Sequence, residues 1–159
     1  MKNIALLTVA LSCALVTAAH ADDYSVVGSG CQVDPSSVPY RVYPTGLWFA
    51  PGATGQITAW CPIDHPIDPP TKVEVQATDT ASGLNGYVQV LYYSMSASDG
   101  STTTYIGGVT SGTNTDGKPH YYTNFFTDPH GPNLHYFVRV NLYRNNSNQT
   151  VRFHGVSVY

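Results

Sequence analysis

Apolar and polar residues alternate over much of the chain, and this period of two predicts β-strands rather than helices. Within residues 56–61 the alternation places Ile57, Ala59 and Cys61 on one face and Trp60 on the other. The same alternation, or a run of β-branched and aromatic residues, marks further candidate strands at 24–27, 47–49, 72–78, 86–94, 103–110, 120–126, 136–143 and 151–159. We therefore expect about eight or nine short strands and no helical segment.

Turn-forming residues separate these runs at intervals of roughly 8–14 residues, which is typical of β-sandwiches and barrels. Several prolines between Cys61 and Thr71 predict a loop, because proline cannot donate to a strand ladder. The polar segment 144–149 predicts a turn that joins the last two strands as a hairpin. We predict an all-β fold, a two-sheet antiparallel β-sandwich of jelly-roll-like topology, formed by one domain over residues 22–159.

The first 21 residues have the three parts of a secretory signal peptide. Lys2 precedes an apolar run over residues 4–16, and Ala19 and Ala21 are the small residues ahead of Asp22. The apolar run is well short of the roughly 20 residues that span a bilayer, so we predict no membrane span. The mature protein is expected to be secreted, either to the periplasm or to the extracellular space.

Removal of that leader leaves two cysteines, Cys31 and Cys61. An even number of cysteines in an oxidising compartment predicts a disulfide between them. In the chain-entropy view, a bridge across a loop of this length stabilises the fold by about 3–4 kcal/mol. Neither cysteine has a basic neighbour that would activate a thiol, so we expect a structural bond.

Three short motifs resemble a set of small secreted bacterial proteins with a Gly-Ser-x-Cys … Cys-Pro framework. They are the Gly28-Ser29-Gly30-Cys31 opening, the Cys61-Pro62 pair, and the closing segment 153–159 (Phe-His-Gly-Val-Ser-Val-Tyr). The resemblance implies secretion and a β-sandwich, and it implies no active site because no activity is established for that set. Some of its members carry a second cysteine pair, which this chain lacks.

Charge excludes some partners. Only 11% of the 159 residues are charged, and loss of Lys2 with the leader moves the formal charge from −3 to −4. The few Lys and Arg residues are scattered, whereas binding to nucleic acid or anionic lipid needs them clustered. We therefore predict no nucleic-acid partner.

No pattern in the chain predicts a catalytic or metal site. There is no Gly-x-Ser-x-Gly motif, and Glu74 is the one glutamate that could pair with an aspartate for glycoside hydrolysis. The histidines of the mature chain lack compact ligand spacing; they are His65, His120, His130, His135 and His154. Loop aspartates could hold calcium, although none forms an Asp-x-Asp-x-Asp-Gly pattern; they are Asp64, Asp68, Asp99, Asp116 and Asp128. We predict a protein that is not an enzyme and has no cofactor, with calcium binding and a hydrolase as the alternatives.

Aromatic side chains carry the functional hypothesis. Exposed Trp and Tyr rings can stack on sugars while neighbouring amides and hydroxyls bind sugar hydroxyls. The candidate ligand-binding residues are Trp60, Tyr92, Tyr93, Tyr121 and Tyr122. Trp48, between Leu47 and Phe49, is expected in the core. The chain therefore predicts a module that binds a carbohydrate or another cell-surface component; the alternative is an envelope or extracellular component that contacts a protein partner.

Overall fold

A computed structural model describes residues 24–63, 71–96, 100, 103–127 and 134–159. Eleven strands lie within these residues: β1 Tyr24–Val27, β2 Gln32–Val33, β3 Tyr40–Tyr43, β4 Gly46–Phe49, β5 Gly55–Ile63, β6 Lys72–Asp79, β7 Gly86–Ser96, β8 Thr103–Thr110, β9 His120–Phe125, β10 Leu134–Arg144 and β11 Val151–Val158. In this part of the chain the helical segments are two single 3₁₀ turns, Gly28–Gly30 and Gly83–Asn85. None of the described residues forms a helix long and apolar enough to cross a membrane. The predicted signal peptide lies outside the described residues.

The strands form two antiparallel sheets packed face to face, which confirms the predicted β-sandwich. A six-stranded sheet has the order β3-β4-β11-β6-β9, with β1 also paired to β11. A five-stranded sheet has the order β2-β5-β10-β7-β8. Each predicted run forms a strand, and the two short strands β2 and β3, which the pattern does not predict, extend one edge of each sheet.

The core lies between the sheets and follows the alternation of the sequence. In β5, Ile57, Ala59 and Cys61 are fully buried, as are Val138 and Val140 in β10. Burial of these apolar side chains is the main force that holds the two sheets together. A disulfide joins Cys31 to Cys61, as predicted, and fixes the segment before β2 to the inner face of β5.

The predicted hairpin between the last two strands is wrong. β10 belongs to the five-stranded sheet and β11 to the six-stranded sheet, so residues 145–150 cross between the sheets. The buried Arg144 at the end of β10 supports this crossing, since its guanidinium donates to the carbonyls of Ser147 and Gln149. It also donates to the carbonyls of Ala50 and Ala53 in the loop after β4. One side chain thus binds backbone acceptors from two loops and links them to the end of β10.

A β-bulge at His154 interrupts β11. The register against β6 shifts between Phe153 and Gly155, so that the inward positions change from Val151 and Phe153 to Val156 and Val158. The His154 ring lies on the outer side of the sheet, where Nδ1 donates to the Thr45 carbonyl at 3.1 Å and Nε2 accepts from the Thr78 hydroxyl at 2.9 Å. The bulge therefore ties the β3–β4 turn to the centre of the six-stranded sheet.

Candidate functional site

Four aromatic rings from four neighbouring strands form a row across the outer face of the five-stranded sheet. The ring centroids of Trp60 and Phe137 are 5.6 Å apart, and Phe137 stacks on Tyr93 at 5.4 Å. Tyr93 meets Tyr105 edge to face at 5.6 Å. We call these four residues the aromatic row.

Strand alternation and one bulge place these rings together. Phe137 pairs directly with Tyr93, and Trp60 lies one outward position away on β5. Between β7 and β8 the register shifts so that Ile106 is an extra residue, which sets Tyr105 opposite Tyr93. Since adjacent strands lie about 4.8 Å apart, the row extends about 14 Å across the sheet, the scale of an oligosaccharide rather than a single sugar.

The ends of the row are the most accessible. Trp60 exposes 38% of its surface and Tyr105 exposes 56%, while Phe137 and Tyr93 between them are half-buried. Gly108 follows in β8, and a Cβ there would lie 3.3 Å from the Tyr105 hydroxyl and only 2.6 Å from the Val90 carbonyl. The missing side chain thus lets Tyr105 and the Val90 backbone lie close to Gly108.

A group of hydrogen-bonded polar residues lies beside the aromatic row on the same face; we call it the amide patch, made of Gln56, Thr58, Gln89 and Asn141. Asn141 is at its centre: Oδ1 accepts from the Thr58 hydroxyl at 3.2 Å and from Gln56 Nε2 at 3.4 Å. Asn141 Nδ2 donates to Gln89 Oε1 at 3.3 Å. Asn141 itself is buried, whereas Gln56 is exposed, so the patch presents amide groups to solvent on a fixed base.

Arg139 lies between the aromatic row and the amide patch. Its Nε donates to Asn141 Oδ1 at 3.3 Å, and its guanidinium carbon lies 5.7 Å from the centroid of the Trp60 ring. On the far side of the amide patch, Tyr87 and Tyr143 are direct cross-strand partners whose rings stack at 5.5 Å. The outer face therefore has aromatic rings at both ends and polar groups in the middle.

The five predicted ligand-binding aromatics do not share one surface. Trp60 and Tyr93 belong to the aromatic row. Tyr92 is fully buried and stacks on Tyr136 at 5.6 Å in the core, so its inclusion among the surface aromatics was wrong. Tyr121 is 65% exposed but lies on the six-stranded sheet, where its hydroxyl accepts from Gln76 Nε2 at 3.1 Å. Tyr122 is half-buried and donates to the Gly112 carbonyl at 2.9 Å, and burial raises the pKa of its hydroxyl.

Trp48 was expected in the core, and the structure places it elsewhere. It is half-buried on the outer side of the six-stranded sheet, while its neighbours Leu47 and Phe49 point inward. Its ring lies 4.4 Å from the ring of Tyr43 and 4.1 Å from the guanidinium carbon of Arg152. Residues 47–49 alternate between the two faces of the sheet as those of β5 do, but all three are apolar, so the sequence does not show which face each takes.

Each of the described carboxylates Asp34, Glu74, Asp79 and Asp116 is engaged by other residues of the chain. The Asp34 side chain accepts from the backbone and hydroxyl of Ser36, and these bonds lower its pKa. Asp79 accepts from Ala81 N–H and the Ser111 hydroxyl, and burial raises its pKa. Two further contacts are Glu74 with Lys72 at 3.7 Å and Asp116 with His120 at 3.1 Å.

No three His, Cys, Asp or Glu side chains gather into a metal site within the described ranges. Of the candidate metal ligands, Asp64, His65, Asp68, Asp99, Asp128 and His130 lie outside those ranges. His135 is exposed on β10 and His154 is engaged by Thr45 and Thr78. Calcium binding therefore stays a prediction, as does the absence of catalysis.

Two cavities open on the six-stranded sheet side and are too small for a typical ligand pocket, which holds about 300–1,000 Å³. One of about 80 Å³ is lined by Trp48, Arg144 and Arg152 among others. Another of about 150 Å³ is lined by Glu74, Tyr121 and neighbouring residues. A surface of stacked rings is therefore a better candidate site than either cavity.

Sequence reasoning missed Phe137, Tyr105, Arg139 and Asn141. The signal for three of them was present, because the alternation over 136–143 that buries Val138 and Val140 also sets residues 137, 139 and 141 on the opposite face. Assigning the outward as well as the inward positions of this strand identifies Phe137, Arg139 and Asn141 from the sequence. Tyr105 could not be placed, since its position depends on the bulge at Ile106.

Comparison with known protein families and with curated protein sequences gives no match. Among solved structures, the fold is similar to carbohydrate-binding modules. A CBM36 domain of a multidomain xylanase from the hindgut metagenome of Trinervitermes trinervoides aligns with a TM-score of 0.52 and 9% identity, over 87% of this chain and 97% of that one. A CBM36 module in complex with calcium and xylotriose aligns with a TM-score of 0.51 and 10% identity, over 86% and 99%.

A third similar structure is CsCBM6-3 from Clostridium stercorarium in complex with cellobiose. It aligns with a TM-score of 0.52 and 9% identity, over 85% of this chain and 92% of that one. The structural alignments show that the chain has the β-sandwich fold of these modules, and identities this low show the fold alone. They do not transfer a ligand or a binding residue.

Proposed function

We propose that this protein is an exported, non-catalytic module that binds a glycan chain along the outer face of its five-stranded sheet. The observation that carries the proposal is the aromatic row beside the amide patch. The apolar face of a sugar ring packs on an aromatic ring, and its hydroxyls accept or donate hydrogen bonds at the rim. Rings and amides on adjacent strands supply both kinds of contact over about 14 Å.

The rigid base of this surface favours binding. Phe137 and Tyr93 are held on both sides by neighbouring rings, and Asn141 is fixed by three side-chain donors. Groups that are already ordered lose little conformational entropy when a ligand binds. The similar modules in complex with xylotriose and cellobiose support the ligand class, because they place sugars on the same fold.

Export is part of the same proposal. The predicted leader directs the chain out of the cytoplasm, and the Cys31–Cys61 disulfide is the kind of bond that persists in an oxidising compartment. A glycan-binding module meets polysaccharides there.

The test is binding of the mature protein, residues 22–159, to soluble xylan, mixed-linkage glucan and other polysaccharides by affinity electrophoresis and calorimetry, with calcium and with EDTA. We expect Trp60→Ala and Tyr105→Ala each to weaken binding to the preferred glycan by about tenfold or more, because these are the most exposed rings of the row and a few aromatic side chains carry most of the binding energy in such interfaces. Tyr121→Ala is the matched control for Tyr105→Ala, since both tyrosines are exposed but lie on opposite sheets. Equal losses in both variants, or no binding in the wild type, would contradict the proposal.

A second candidate, contact with a protein partner, is favoured by one observation. The edge strand β3 exposes 41% of Tyr40 and 47% of Val42, and an exposed apolar edge can pair with another chain. If this is the function, Val42→Lys should abolish capture of the partner from the native envelope. Trp60→Ala should capture the partner as the wild type does.

A further inference from the structure

Arg139 is a cation on the outer face of a sheet whose five described strands carry no acidic side chain. The five strands of this sheet contain no Asp or Glu at any position. Asp34, which follows β2, is occupied by Ser36. The other arginine of β10, Arg144, is buried at the strand end and donates to four backbone carbonyls. Among the described residues on this face, Arg139 is therefore the permanently charged group that a ligand would meet.

The geometry leaves the two terminal nitrogens of the Arg139 guanidinium, which we call its fork, available to a ligand. Only Nε is used within the described residues, in its bond to Asn141, which sets the plane of the guanidinium. The two terminal nitrogens donate to no described residue. The residue is half-buried between Trp60 and Leu91, its cross-strand partners.

We propose that the glycan is acidic, and that Arg139 binds the carboxylate of a uronic acid residue while the aromatic row stacks on the sugar rings of the same chain. This inference rests on the proposed function and names its ligand class. A guanidinium presents parallel N–H donors that match the two oxygens of a carboxylate, which a neutral sugar hydroxyl cannot reproduce. The position of Arg139 beside Trp60 allows one sugar to stack on the indole while its carboxylate reaches the fork.

The chain offers a matched control in Arg152. This arginine also lies against a tryptophan, with its guanidinium carbon 4.1 Å from the centroid of Trp48, but on the opposite sheet. Arg139→Gln and Arg152→Gln therefore remove the same charge from similar indole contacts on two different faces. Arg139→Lys keeps the charge and removes the planar fork.

The experiment uses the mature disulfide-bonded protein and pairs of oligosaccharides that differ only at the carboxylate. Oligogalacturonate, oligoalginate and glucuronic-acid-substituted xylo-oligosaccharide are each compared with their carboxyl-reduced forms, by calorimetry in EDTA at low salt. EDTA removes calcium bridges between the protein and the acid. We expect the wild type to bind at least one acidic form about tenfold or more tightly than its neutral counterpart, with the preference falling as NaCl is raised.

The variants identify the residue responsible. In Arg139→Gln the ratio of the affinities for the acidic and the neutral form should fall to about one, and in Arg139→Lys this ratio should lie between that value and the wild-type ratio. Arg152→Gln should keep the full preference. Thermal unfolding of each variant checks that the fold is intact.

The failures are distinguishable. Equal binding of acidic and neutral forms by the wild type would overturn the uronic acid inference and leave glycan binding standing. A preference that survives in Arg139→Gln would overturn the role of Arg139, and a stronger preference for a sulfated glycan over every uronate would overturn the ligand class. Absence of binding to every pair would overturn the proposed function and this inference together.

Discussion

Two arginines in the same strand, five residues apart, are used in opposite ways. Arg144 is buried, and its guanidinium carbon lies 4.5 Å from the centroid of the Phe49 ring. Its nitrogens donate to four backbone carbonyls. Burial also lowers its pKa, although an arginine remains charged at any pH that the fold tolerates. Arg139 uses one donor, Nε, and its two terminal nitrogens donate to none of the residues that the structure describes. The number of acceptors around each guanidinium, rather than its sequence context, separates the structural Arg144 from Arg139, for which we propose a ligand.

His154 gives a prediction of pH dependence at this scale. Burial lowers the pKa of His154 below its ordinary value of about 6.5, and the nearby charge of Arg152 acts in the same direction. The unfolded chain therefore takes up this proton at a higher pH than the folded protein. The stability that neutral His154 contributes is fully present above about pH 6.5 and is lost as the pH falls through the pKa of the folded state.

We expect the free energy of unfolding, measured by urea titration, to fall between pH 7.5 and 5.5 by more in the wild type than in His154→Gln. Gln can keep a donor for Thr45 and an acceptor for Thr78, but it does not titrate. Asp79, whose pKa is raised by burial, acts in the opposite direction and is present in both proteins. Parallel pH curves for the two proteins would show that His154 does not carry this dependence.

At the scale of elements, regular alternation could be read from the sequence and its interruptions could not. The strands with a clean period of two, such as β5, β6 and β10, agree with the structure within a few residues at each end. The extra residues Ile106 and His154 change which side chains share a face, and a change of phase is visible only when the partner strand is known. The prediction that β10 pairs with β11 was wrong for a related reason. A short polar segment can form either a hairpin turn or a crossing between two sheets.

A glycine at the junction of two elements provides the second prediction. Gly46 begins β4 with φ of +146°, and a Cβ there would collide with the carbonyl oxygen of Phe153 in β11. Gly52 also has a positive φ, +77°, but nothing lies within 4 Å of its Cβ position. At both positions the positive φ would strain an alanine, but only at Gly46 would the added Cβ also collide with a neighbour.

We expect Gly46→Ala to lower the free energy of unfolding by about 3 kcal/mol or more, and Gly52→Ala by about 1 kcal/mol, since the first adds a clash to the strain. Urea unfolding of both variants measures the difference. Comparable losses would mean that β4 moves away from β11 at little energetic cost.

At the scale of the whole molecule, the sequence was sufficient for the fold class, the inward faces of the regularly alternating strands β5, β6 and β10, and the disulfide, because each depends on local pattern or on a count of two cysteines. It was sufficient for only part of the candidate site. Tyr92 and Tyr93 are adjacent in sequence, yet the pleat sends one to the core and the other to the aromatic row. Which of two faces an aromatic takes, and which strands lie beside it, depend on sheet order, and that order comes from contacts distant in the chain.

The disulfide supplies the third prediction, since it connects residues 30 positions apart and holds the short edge strand β2 against β5. Cys31→Ala with Cys61→Ala should lower the free energy of unfolding by about 3–4 kcal/mol through the entropy regained by the unfolded chain. Exported wild-type protein should show no titratable thiol in denaturant without reductant. Two titratable thiols would contradict the bond, and unchanged stability in the double variant would contradict its role.

The alternation of β5 has a practical consequence for protein engineering. Trp60 and Cys61 are consecutive, so the outward platform and the covalent anchor belong to the same rigid strand but point to opposite sides. The rings of the aromatic row and the fork of Arg139 can therefore be randomised with little disturbance of the packed interior. A displayed library built on these outward positions would select new binding specificities while the buried core and the disulfide stay unchanged.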